Sequence, residues 1–185
     1  MERRLEEGHV KGYLAEKPKQ EQPPDVLFHG YAIVGFGAVR YERGRFAPLG
    51  YGAVTTRAHT EFTSRLEEIY DGMTELIAKY RPDCISVEKL YFNTNTTTAI
   101  AVAEARGCIL LAAKKGLVPV YEYTPLQVKS SVTGYGRAEK KQIMEMTRIL
   151  LGLDKIPRPD DAADALALAV CHGHSAGSLL TQNRL

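Results

Sequence analysis

Apolar residues recur at three- and four-residue steps through Phe62, Leu66, Ile69, Tyr70, Met73, Leu76, Ile77 and Tyr80, which predicts an amphipathic helix ended by Pro82. Ahead of it, Tyr31 to Tyr41 and Phe46 to Thr56 are rich in β-formers and glycine. They flank the charged turn Glu42-Arg43-Gly44-Arg45 and read as a hairpin. Cys84-Ile85-Ser86-Val87 predicts a short buried strand with Glu88 at its end. Thr96 to Lys115 is Ala-rich and free of proline, so it predicts a helix packed closely on a sheet. Leu117 to Tyr123 predicts another strand. Helices follow at Pro125 to Val132, Ala138 to Leu151 and Asp161 to His172, with Gly173 as a stop. A hairpin, then alternating helices and strands, then helices, implies an α/β fold with a mixed sheet.

The pattern lapses at both ends. Residues 1–24 are rich in charge, Gln and Pro, a composition that buries too little apolar surface to offset ordering entropy. They are expected to form a disordered tail, 25–174 one domain, and 175–185 a flexible C-terminal tail. A chain of 185 residues suits a single sizeable core.

Composition adds exclusions. Hydrophobic residues make up 44% and charged residues 25%, an ordinary globular balance, and the net charge of +2 neither demands nor excludes nucleic acid. No apolar run approaches the roughly 20 residues of a membrane span, so no membrane partner is expected. Cys84, Cys108 and Cys171 are far apart and set in apolar runs, which suits reduced core cysteines in a cytoplasmic protein.

The candidate chemistry lies in carboxylates. Glu88 closes an apolar strand, and in open α/β sheets sites gather at strand carboxyl ends. A solvated strand end paired with Lys89 is the plainer alternative. Asp161 and Asp164, three apart in Asp160-Asp161-Ala162-Ala163-Asp164-Ala165-Leu166-Ala167, share one face of a helix start. Acids there also cap free N–H groups and offset the helix dipole, so Asp160 or Asp161 has a purely structural reading. Asp164 is different, because the surrounding alanines imply close packing, and a charge held there needs a partner or a metal. Three such acids suit two Mg²⁺ ions roughly 3.5–4 Å apart in phosphodiester hydrolysis.

Lys129, Arg137, Lys140 and Lys141 surround Gly134-Tyr135-Gly136 between two predicted helices, an arrangement suited to a phosphate backbone or to an ordinary solvated face. Tyr91 and Phe92 follow Glu88 in a polar loop. They could stack on exposed bases or cover the sheet edge.

In order along the chain, Gly30 to Gly37, Val87-Glu88, Ala105-Arg106-Gly107, Tyr121-Glu122-Tyr123, Gln127-Val128-Lys129, Gly134 to Lys140 and Asp160 to Ala167 resemble the RuvC family of Holliday junction resolvases. The matching blocks run from about Gly30 to His174. The resemblance implies an RNase H-like fold, a five-stranded mixed sheet flanked by helices on both faces. It implies a homodimeric endodeoxyribonuclease that uses two Mg²⁺ or Mn²⁺ ions to nick four-way junction DNA in recombination and repair, alongside RuvA and RuvB. By position, Glu88, Asp161 and Asp164 match three of four catalytic, metal-binding acids. Tyr91, Lys129, Arg137 and Lys140 match or flank DNA-contacting residues.

One block departs. The family's first strand ends Ile-Asp-Pro-Gly where this chain has Leu27-Phe28-His29-Gly30, so Phe28 stands in place of the first acid. Asp25 and His29 fall on the strand face opposite Phe28. Pro23 and Pro24 occupy the expected first half of this central strand, and proline removes ladder hydrogen bonds. The first 29 or so residues therefore read as a start foreign to the family, with impaired activity. The alternative function is a non-catalytic four-way-junction-binding protein. A kinase-like or actin-like ATPase lacks its later Gly-rich phosphate loop.

Overall fold

A computed structural model describes residues 25–29, 33–57, 60–90, 96–175 and 185. Its framework is a sheet of strands β1 (Asp25–His29), β2 (Ile33–Glu42), β3 (Arg45–Thr55), β4 (Cys84–Glu88) and β5 (Val120–Tyr123), ordered β3-β2-β1-β4-β5. β1 pairs antiparallel with β2, and β2 with β3. The β1–β4 and β4–β5 pairs are parallel. The hairpin closes because Arg43 and Gly44 both adopt positive φ, 50° and 80°, a turn whose twist matches that of the strands.

β1 is central despite the prolines before it. It begins directly after Pro24 and pairs with β2 from Asp25 to His29 and with β4 from Asp25 to Phe28. Pro23 and Pro24 lie outside the described residues, and the strand from Asp25 on is paired on both sides. The expectations for residues 1–24 and 176–184 lie outside the described residues. At the far end, the Leu185 N–H donates to the Val120 carbonyl at 2.9 Å.

Helix α1 (Phe62–Tyr80) ends where Arg81 turns left-handed and its N–H bonds the Ile77 carbonyl. With α2 (Thr96–Lys115) it covers one sheet face, where Ile69, Met73, Ala105 and Ile109 pack against Val34, Phe36, Ile85 and Val87. Helix α5 (Asp160–Ser175) covers the other, with α3 (Pro125–Thr133) and α4 (Lys140–Leu150) packed on it.

Three boundaries differ from the sequence expectation. β5 starts at Val120, not Leu117. The three residues after α2 cap it instead: Leu117 takes φ 59° and the Val118 N–H bonds the Ala113 carbonyl. α4 starts at Lys140, not Ala138, because Glu139 is extended and its N–H bonds the Gln142 side chain at 2.9 Å. α5 runs through Gly173 to Ser175. Gly173 is no stop. A Cβ there would lie 2.5 Å from the Phe46 ring, so the glycine makes room for an aromatic side chain.

Candidate metal centre

Alternation along the strands separates two chemistries. On β2, Val34, Phe36 and Ala38 join the apolar core beneath α1 and α2. Gly35 and Gly37 face α5 so closely that a Cβ at Gly35 would lie 2.1 Å from the Asp161 carbonyl oxygen and 2.8 Å from its Cβ. At Gly37 it would meet Leu166 at 2.8 Å. This notch seats the first turns of α5, and with them Asp161 and Asp164, directly on the sheet.

A single row of the sheet then passes through the site. Gly35 lies opposite His29 in β1, and Glu88 opposite Tyr123 in β5. Phe28 is paired with Val87, so position 29 falls beside Glu88, one step further along both parallel strands. Gly35, beneath Asp161, and Glu88 are thus two strand spacings apart across the sheet, about 10 Å. Position 29 stands between them. Phe28 belongs to the adjacent row with Phe36 and Val87, both part of the core under α1 and α2.

The individual acids are held differently. Glu88 is half-buried at the end of β4, and the Lys89 N–H after it bonds the Tyr123 carbonyl at 2.8 Å. Asp161 is half-buried and forms no ion pair among the described residues. Asp164 Oδ2 accepts a hydrogen bond from Lys140 Nζ at 3.1 Å, and Asp160 stands 3.6 Å from the same nitrogen while also pairing with Arg158. Asp160 is therefore a tethered helix start, the structural half of the sequence alternatives. At Lys140, partial burial opposes the charge, but the hydrogen bond and charge of Asp164, reinforced by Asp160, lift the ammonium above the ordinary lysine range.

Of the basic candidates, Lys140 contacts the acids. Lys129 is half-buried on α3, and Arg137 is exposed in the loop before α4. The glycines between them are structural: Gly134 caps α3 with φ 73° and an N–H bond to the Ser130 carbonyl, and Gly136 leaves space for Leu126. Tyr91 lies outside the described residues.

The sequence did not single out a buried polar group behind the acids. His172, 1% exposed, places Nδ1 2.7 Å from the Tyr123 hydroxyl and Nε2 3.0 Å from Cys84 Sγ. Burial lowers its pKa to about 4, so it is neutral. Its one signal was an ionisable residue directly after the apolar run Ala165 to Cys171, eight positions after Asp164.

A hard divalent cation fits the donor types here, carboxylate oxygens at the ends of two elements. Among the described residues, no three His, Cys, Asp or Glu groups yet stand close enough to share one ion.

The family model described as crossover junction endodeoxyribonuclease RuvC matches residues 28–172. The crossover junction endodeoxyribonuclease RuvC of Alkaliphilus metalliredigens is 55% identical over 146 residues, covering 79% of this chain and 89% of its own length. The Thermus thermophilus RuvC structure is similar with TM-score 0.77 and 33% identity, over 88% of this chain and 98% of that one. T. thermophilus RuvC in complex with Holliday junction substrate matches with TM-score 0.77, 31% identity and the same coverage. The sheet with its flanking helices is accordingly RNase H-like. Both the matched span and these identities lead to one conclusion: the chain belongs to the RuvC family.

Proposed function

We propose that this chain binds four-way junction DNA as a homodimer and hydrolyses its phosphodiester bonds with Mg²⁺ or Mn²⁺. The observation that carries this is the glycine notch, which sets Asp161 and Asp164 on the same end of the sheet as Glu88. Glu88, Asp161 and Asp164 would hold the metal, two ions per site by family resemblance. Bound there, it would supply an activated water and stabilise the leaving oxygen. Lys129, Arg137 and Lys140 offer the positive charge that phosphates require, with Tyr91 as the stacking residue. Lys140 has a second duty: it neutralises Asp164 and Asp160 until a cation competes for them. With no acid at position 28 or 29, cleavage is weaker than binding.

The homodimer reading draws on α2. Its outer side exposes Ile100, Ala103, Gly107 and Leu111 in one seam at three- and four-residue steps, with Ile100 70% and Leu111 54% exposed. Such a seam suits a second copy of the helix. RuvA and RuvB are proposed partners by family resemblance, and the cytoplasm the proposed compartment. Among the described residues, no helix is long and apolar enough to cross a membrane.

Purified protein mixed with a synthetic four-way junction and Mg²⁺ tests the reading. Junction binding with slow, symmetric nicking is expected, and Asp164→Asn should abolish nicking while binding persists. Nicking indifferent to Asp164→Asn would refute the assigned site. Binding with no nicking at all would favour the alternative, a non-catalytic junction-binding protein.

A further inference from the structure

We propose that His172 and Tyr123 form a positioning clamp that fixes where Asp161 and Asp164 sit relative to Glu88. The inference rests on the metal-site reading above and extends it to residues that do not touch the metal.

The geometry is that of two parallel rails. His172 lies eight residues beyond Asp164 on α5, about 12 Å along the helix at 1.5 Å per residue. Cys84 lies four residues before Glu88 on β4, about 13 Å along the strand at 3.3 Å per residue. The imidazole meets Cys84 at the far end of both rails, and the acids meet at the near end. Its other nitrogen meets the hydroxyl of Tyr123, which is the direct neighbour of Glu88 in the site row. One ring therefore ties the acid-bearing helix to both strands that set the position of Glu88.

Both ring nitrogens are engaged, and a neutral imidazole has one donor and one acceptor to offer. If the Tyr123 hydroxyl donates to Nδ1, Nε2–H donates to sulfur; if the Cys84 thiol donates to Nε2, Nδ1–H donates to the phenol. Either arrangement satisfies the ring. The Tyr121 ring packs against it with centroids 4.8 Å apart. A buried polar group costs stability unless satisfied, so sliding α5 along the sheet would break both contacts at once. Apolar packing alone gives no such directional stop. Leu166 and Leu168 would keep much of their burial through a shift of an ångström, whereas hydrogen bonds weaken steeply with misalignment.

The test uses the full chain with Tyr123→Phe, which removes one oxygen, and the pair His172→Leu and His172→Gln. Glutamine restores a donor and an acceptor, whereas leucine restores only volume. The first readout needs no metal. In the folded proteins, hydrogen exchange at the backbone amides of Asp164 to Leu168 should quicken by about tenfold in Tyr123→Phe and His172→Leu, with α1 amides unchanged. His172→Gln should stay near the parent. The second readout is Mn²⁺ titration, in which the same two variants should bind about tenfold more weakly and His172→Gln should recover. Exchange on α5 indistinguishable from the parent overturns the clamp, whatever the metal does. Mn²⁺ binding that ignores Asp161→Asn and Asp164→Asn overturns the metal-site reading instead. Faster exchange with unaltered Asp164-dependent Mn²⁺ affinity also overturns the positioning role, leaving His172 a structural residue.

Discussion

The two faces of the sheet obey different rules. Beneath α1 and α2, Val34, Phe36, Ile85, Val87 and Val120 fill a continuous apolar core, with Ala38 and Gly52 as smaller neighbours. Beneath α5, the alternate positions of β2 and β4 include Gly35, Gly37, Cys84, Ser86 and Glu88, small or polar side chains under a helix rich in alanine, while Val39, Tyr121 and Tyr123 supply bulk there. The first face stabilises by area removed from water, which tolerates small adjustments. The second brings backbone and carboxylates close together. Its buried polar groups include His172 and Ser86, whose hydroxyl has no hydrogen-bond partner among the described residues. Both faces bury apolar side chains, but the acids and His172 lie on the α5 side, one residue out of phase with the core under α1 and α2.

Neighbouring substitutions on β2 should separate these roles most sharply. Phe36→Ala removes a ring that is 7% exposed and should cost about 3–5 kcal/mol in urea unfolding, with Mn²⁺ affinity of the folded protein unchanged. Gly35→Ala pushes a methyl group against the Asp161 backbone. It should cost about 1–3 kcal/mol and also lower Mn²⁺ affinity, since α5 must lift at its first turn. If the two variants lose metal binding in proportion to stability, the division of labour between the faces is wrong.

Acid should act on the α5 face through His172. Its pKa is about 4 in the fold against an ordinary value of 6.5, so the unfolded chain binds more protons between those limits. The associated stability is complete above about pH 6.5 and is lost as pH falls to 4, about 3 kcal/mol in all. Cys84, Tyr121 and Tyr123 lie against the ring. Carboxylates elsewhere titrate in the lower part of the window, so the measurement is the difference in unfolding free energy between the parent and His172→Gln. That difference should change across pH 4 to 6.5. A flat difference would mean the histidine is charged in the fold.

The first strand sharpens the comparison further, because the sequence resemblance and the strand register point to adjacent residues. The resemblance puts the expected acid at Phe28. The register puts position 28 in the row of Phe36 and Val87, and position 29 between Gly35 and Glu88. A one-residue slip exchanges the two faces. His29→Asp is expected to tighten Mn²⁺ binding about tenfold, close to 1.4 kcal/mol, with Phe28→Asp giving no gain. Rescue at 28 instead would show that β1 pairs one residue out of this register when metal is bound.

That ambiguity marks where the sequence stops being legible. Elements with a strong local signal were readable: α1 from the helical period of Phe62 to Tyr80, α2 from the Ala-rich, proline-free run Thr96 to Lys115, and β4 from its short apolar run all fall where the sequence puts them. Glu88 at a strand end and Asp161 and Asp164 on one helix face were visible as candidates for the same reason. What escaped depends on contacts between distant segments. Gly173 looks like a helix stop until Phe46, more than a hundred residues earlier, is found in its place. Gly35 and Gly37 resemble loose strand glycines until α5 is laid on them. His172 reads as one polar residue in an apolar helix, and only the fold supplies Tyr123 and Cys84 as its partners. The register of β1 is the extreme case, since five residues after two prolines carry little periodicity of their own.

The smallest effect concerns the link between chemistry and surface. Lys140 is about half exposed, and its ion pairs with Asp160 and Asp164 span 3.6 and 3.1 Å. An exposed pair of this kind contributes at most about 1 kcal/mol, and salt screens it. Lys140→Met should therefore barely alter unfolding at neutral pH. In the parent, the raised lysine pKa means that this small contribution is intact below about pH 10 and fades as the ammonium deprotonates above its ordinary range. The metal readout should move the other way from the earlier variants: with no ammonium to displace from Asp164, Mn²⁺ should bind slightly tighter, by roughly two- to threefold at low salt and less as salt rises. Weaker Mn²⁺ binding in Lys140→Met would show that the lysine supports the acid cluster rather than competing with the cation for it.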